Sequence, residues 1–85
     1  RGLALQLIGR TSPRLPVGTV VRLTAGDRTI VQQLKGASSY ASSNAPTLFF
    51  GLGQRKAQRL EIEWPSGIRQ VVEPVPDGPV LTIIE

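Results

Sequence analysis

Polar and apolar residues alternate along most of this chain with the period of a β-strand. LALQLI (3–8) places Leu3, Leu5 and Leu7 on one face and Ala4, Gln6 and Ile8 on the other. TVVRLTA (19–25) sets Thr19, Val21 and Leu23 against Val20, Arg22 and Thr24, and RTIVQQLK (28–35) sets Ile30, Gln32 and Leu34 against Val31 and Gln33. Between these two runs stands Gly26-Asp27, a pair suited to the positive φ of a tight hairpin turn. TLFFGLG (47–53) is a short apolar strand ended by glycines, and AQRLEIEW (57–64) alternates most clearly, with Leu60, Ile62 and Trp64 facing one way and Arg59, Glu61 and Glu63 the other. IRQVVE (68–73) is its partner, and VLTIIE (80–85) closes the chain after the turn PVPDGP (74–79). No segment has a helical period.

The remaining segments read as loops. TSPRLPVG (11–18) carries two prolines and a glycine, and GASSYASSNAPT (36–47) is the longest irregular stretch, with Tyr40 as its one large side chain. About seven short strands separated by turns predict an all-β fold, a small antiparallel β-sandwich or partly open barrel, within one domain spanning residues 1–85.

WPSG (64–67) defines the sharpest turn. Pro65 presets φ at the second turn position, and Gly67 takes the left-handed conformation that closes a three-residue loop with a bulge. This places Trp64 opposite Ile68 in phase with Ile62, and Glu63 opposite Arg69. The phase makes Trp64 a core residue; an exposed platform for a sugar or base is the alternative. Gly51, Gly53, Trp64, Pro65 and Gly67 are therefore read as structural.

Composition narrows the chemistry. The chain has no Cys and no His, so a disulfide, a thiolate metal site and the commonest general base are absent. Asp27 and Asp77 each stand alone beside a turn glycine, unlike the clustered acids of a calcium loop. The serines around Tyr40 have no base near them in sequence, and Glu61 with Glu63 is what any solvated strand presents. FFGLGQRK (49–56) lacks the spacing of a phosphate-binding loop. The expectation is a non-catalytic protein with no cofactor of its own. No apolar run is long enough for a membrane-spanning helix. The +4 net charge comes from scattered basic residues, of which Arg55, Lys56 and Arg59 form the one approach to a polyanion patch. With aromatics confined to Tyr40, Phe49, Phe50 and Trp64, the base-stacking surface of a nucleic-acid binder is not indicated.

The ordered succession GASSYASSN (36–44), FGLG (50–53), a charged alternating strand into WPSG (64–67), and a closing strand ending in Glu85 resembles the ASPIC/UnbV domain. That family's pattern has a G-x-S-Y-x-S-x-N loop, an F-G-L-G turn and V-x-W-P-S-G. Two departures stand out: SPRLPVG (12–18) replaces an Asn-rich segment leading to G-I-G-A, and Phe49 stands where His is frequent. The resemblance implies a module from the C-terminal part of a larger secreted or cell-surface protein, or a periplasmic one in bacteria. It also implies a neighbouring β-propeller built of FG-GAP/VCBS repeats, in which any calcium would reside. No catalytic residue transfers with it.

The leading expectation is an extracellular β-module that packs against the propeller and contributes to binding or adhesion, with a cell-surface protein or glycan as possible partner. Its candidate ligand surface is Ser38, Ser39, Tyr40, Ser42, Ser43 and Asn44, a tyrosine among hydroxyls and an amide. The competing reading of that loop has Tyr40 capping the core and Asn44 bonding the backbone. Alternatives for the whole domain are a glycan-binding module using Tyr40 and Trp64, a purely structural cap, and a weak polyanion binder.

Overall fold

The computed structural model describes residues 2–12, 16–35, 47–76 and 78–85. Seven strands are present among them: β1 (Gly2–Ile8), β2 (Val20–Ala25), β3 (Arg28–Gln33), β4 (Thr47–Gly51), β5 (Ala57–Glu63), β6 (Arg69–Val72) and β7 (Val80–Ile84). They form a three-stranded sheet ordered β4-β1-β7 and a four-stranded sheet ordered β3-β2-β5-β6. The all-β, two-sheet architecture is the expected one. The β1–β7 ladder is parallel, with Ala4 opposite Val80 and Ile8 opposite Ile84, while the other ladders are antiparallel.

Each strand's inward phase follows its alternation. Leu3, Leu5 and Leu7 of β1 meet Val21 and Leu23 of β2 and Leu60 and Ile62 of β5 in one core, with Phe50, Leu48, Leu34, Val75 and Ile83 filling its ends. Deleting such a side chain to Ala costs about 2–5 kcal/mol. That is a large share of the roughly 5–15 kcal/mol that stabilises a small domain.

The WPSG turn forms as its sequence requires. The Gly67 amide donates to the Trp64 carbonyl at 2.9 Å, the Trp64 amide donates to the Ile68 carbonyl at 2.9 Å, and Gly67 has φ +94°. Trp64 is 2% exposed, so it is core. Its ring nitrogen donates to the Gln70 side-chain oxygen, which satisfies the one polar atom the indole carries into the interior. Ile68 pairs with Trp64 through the backbone but is exposed, because it lies beyond the start of β6. Gly26 takes φ +64° in the β2–β3 hairpin, whose flanking residues Ala25 and Arg28 pair.

The two sheets touch at both of their open edges through a glutamine. Gln32 of β3 donates from its side-chain amide to the Phe49 carbonyl of β4 at 2.7 Å. Gln70 of β6 donates to the Ile84 carbonyl of β7 at 3.2 Å. Each glutamine stands in the inward phase of its edge strand, so its amide reaches across to the other sheet and partly closes the sandwich into a barrel. A carbonyl occupied in this way is withdrawn from pairing with a foreign strand.

Candidate functional site

The corner built around Glu85 is a densely bonded polar feature among the described residues. Its carboxylate accepts from the Arg10 amide at 2.8 Å, the Ser12 amide at 2.6 Å, the Ser12 hydroxyl at 2.8 Å and the Ser66 hydroxyl at 2.5 Å. The Ser66 amide in turn donates to the Ser12 hydroxyl oxygen at 3.0 Å. One side chain thus ties the segment after β1, the WPSG turn and the end of β7. Desolvation at this corner pushes the Glu85 carboxyl up, but the donors from Ser66, Arg10 and Ser12 outweigh it and hold the group at about 2, below its ordinary 4.5. A carboxylate held so firmly in its charged form is a poor general base at neutral pH. The constellation of two serines and an acid is a clamp. Sequence reading missed it; the available signals were a lone charge ending the apolar run VLTII and a hydroxyl inside Pro-Ser-Gly.

The three cations at 55–59 have different surroundings. After β4 the chain turns through Leu52 and Gly53, where the Arg55 amide donates to the Leu52 carbonyl at 3.0 Å and Gly53 has φ +62°. Gly51, by contrast, has no positive φ, and a Cβ there would meet open space. A cleft of about 600 Å³ lies on one side of the turn, lined by Gly2, Leu3, Leu52, Lys56, Val75 and Pro79 among others. A smaller notch that also touches Leu52 takes Arg55 instead. Arg55 Nε lies 3.3 Å from Asp27 Oδ1. Arg59 extends from β5 to Glu61 at 3.9 Å and Glu73 at 3.8 Å. Neighbouring acids therefore offset much of the charge that the linear cluster suggests.

The outer faces of the two sheets differ in charge, although both expose apolar side chains, Val31 and Val71 among them on the four-stranded sheet. The β4-β1-β7 strands GLALQLI, TLFFG and VLTII contain no charged residue. Register aligns Phe49, Ala4 and Val80 in one row, Thr47, Gln6 and Thr82 in the next, and Ile8 with Ile84 beyond. Phe49 is 64% exposed, Val80 56% and Ile84 52%. The four-stranded sheet instead presents Arg22, Arg59, Glu61, Glu63 and Arg69, with Arg22 3.6 Å from Glu61 and Arg69 3.4 Å from Glu63.

Burial denies Trp64 to a sugar-stacking pair with Tyr40. The candidate ligand residues Ser38, Ser39, Tyr40, Ser42, Ser43 and Asn44 lie outside the described residues. Among the described residues no group of acidic side chains is placed to hold a metal ion, and no helix is long and apolar enough to cross a membrane.

The profile of the family described as ASPIC and UnbV matches residues 9–85. The chain belongs to the ASPIC and UnbV family. The match takes in the Phe-Gly-Leu-Gly turn, the Trp-Pro-Ser-Gly turn and Glu85, and so includes every residue of the carboxylate clamp. Curated proteins and solved structures give no match.

Proposed function

We propose that this ASPIC and UnbV domain is a non-catalytic extracellular or cell-surface β-module that contributes to binding or adhesion. In this reading it packs against a neighbouring β-propeller through the outer face of β4-β1-β7. The observation that carries it is the uncharged character of that face, with Phe49, Val80 and Ile84 half or more exposed. Strands buried on both faces read as near-continuous apolar runs, whereas strands solvated on one face alternate with polar residues. LALQLI, TLFF and VLTII follow the first pattern, although one of their faces is open in the isolated domain. An uncharged sheet face with exposed apolar rows supports a contact surface there.

Hydroxyl-radical footprinting tests the reading. Phe49 is expected to label readily in the isolated chain and to be protected in a longer protein that carries the propeller. Equal labelling in both would overturn it. Phe49→Lys separates a binding role from a purely structural cap: a cap loses propeller stability alone, and a binding module also loses attachment to its surface partner.

A further inference from the structure

We propose that the notch between the β2–β3 hairpin tip and the turn after β4 binds a single, singly charged oxyanion group. Ala25, Ile30 and Leu52 give it apolar walls, Gly51 and Gly53 contribute backbone, and Arg28 and Arg55 are its two charged members. Its volume of about 110 Å³ leaves room for one small oxyanion between these walls.

The two guanidiniums differ in how they are held. Arg28 has no ion-pair partner among the described residues. Arg55 is oriented in advance. Its stem lies across the hairpin tip, with Cγ and Cδ 3.7 Å from where a Cβ on Gly26 would stand, and Asp27 engages its Nε. Its terminal nitrogens, which form the fork that grips oxyanions, are outside that contact. Fixing one donor group before binding lowers the entropy cost of capture.

Local charge sets the class of ligand. Arg28 and Arg55 against Asp27 leave one net positive charge, which matches a sulfate ester, a phosphodiester or a carboxylate better than a doubly charged phosphate monoester. A β-bulge supports the geometry. The β2–β5 register shifts between Thr24 and Ala25, leaving Gln58 as the extra residue, and Ala25 is one wall of the notch. Bulges of this kind re-aim strands next to binding sites. The site is distinct from the trio Arg55, Lys56 and Arg59, sharing Arg55 with it but replacing the other two by Arg28. It is independent of the proposed propeller contact.

The test is an amide and arginine Nε NMR titration of the chain with methyl sulfate, dimethyl phosphate, acetate and methyl phosphate, against chloride at matched ionic strength. Saturable shifts confined to Gly26, Arg28, Gly51, Gly53 and Arg55 are expected for the singly charged probes, and comparison of the three identifies which source fits best. Arg28→Gln and Arg55→Gln are each expected to weaken binding about tenfold, equivalent to ~1.4 kcal/mol. Asp27→Asn is expected to add affinity for methyl phosphate, because it removes the competing carboxylate. Unshifted resonances elsewhere show that the variants remain folded. Shifts equal to those of chloride, shifts spread over the surface, or an Asp27→Asn variant with unchanged preference would each overturn the proposal.

Discussion

The two sheets share one core yet show the solvent opposite surfaces. On the four-stranded sheet the outward face carries a lattice of Arg22, Glu61, Glu63 and Arg69, with exposed Val31 and Val71 set among the charges. On the three-stranded sheet, alternation fades, and Phe49, Val80 and Ile84 face outward among uncharged neighbours. A shared apolar core beneath one charged and one uncharged outer face means that the core specifies the fold, while the outer faces are free to differ.

The contrast requires that the inner faces be equivalent. Leu5→Ala on β1 and Ile62→Ala on β5 are each expected to destabilise the domain by about 2–5 kcal/mol in urea titrations. A small effect on one sheet alone would mean that the core is not shared. Trp64→Ala is expected to be at least as severe, at about 3–5 kcal/mol, and also strands the Gln70 side chain.

Glu85 joins the sheets, and its effect is pH-dependent. The folded-state pKa of about 2 lies below the ordinary 4.5. Its contribution is therefore present above about 4.5 and is lost as pH falls through about 2. Glu85→Gln is expected to lower the melting temperature at pH 7 and to flatten the acid limb of its pH profile. Melting curves that shift in parallel at every pH would refute the clamp.

The outer faces carry the smaller effects. Arg22→Gln is expected to cost at most about 1 kcal/mol, and less as salt is raised. Phe49→Lys is expected to change the stability of the isolated chain by no more than about 0.5 kcal/mol. A larger loss at Phe49 would mean that this face is packed within the domain rather than available to a partner.

Strand order along the chain, the Gly26-Asp27 hairpin and the Trp64 corner were legible because each depends on period, turn chemistry or a single φ requirement. The fold's parallel ladder was not. Nothing local in LALQLI or VLTII distinguishes a parallel from an antiparallel neighbour, since the choice is made by the whole path of the chain. The clamp was hidden for a similar reason: Ser12, Ser66 and Glu85 are far apart in sequence and meet only once both sheets exist. Gln32 and Gln70 left a fainter trace, as polar residues standing in the inward phase of otherwise apolar faces. The Arg55-Lys56-Arg59 run was legible as a sequence of cations, but not the turn after Leu52 that sets Arg55 and Lys56 along two different depressions.

The parallel pairing of the first and last strands has a mechanical consequence. Gly2 enters β1 at one end of the ladder and Glu85 leaves β7 at the other. Tension applied between those two points loads the β1–β7 hydrogen bonds in shear, all together, instead of peeling them one after another. Rupture under load is a matter of unfolding rate, and a ladder that must break at once resists pulling far better than one that unzips. Glu85 is also tethered to Ser12 and Ser66, so the same tension loads the carboxylate clamp.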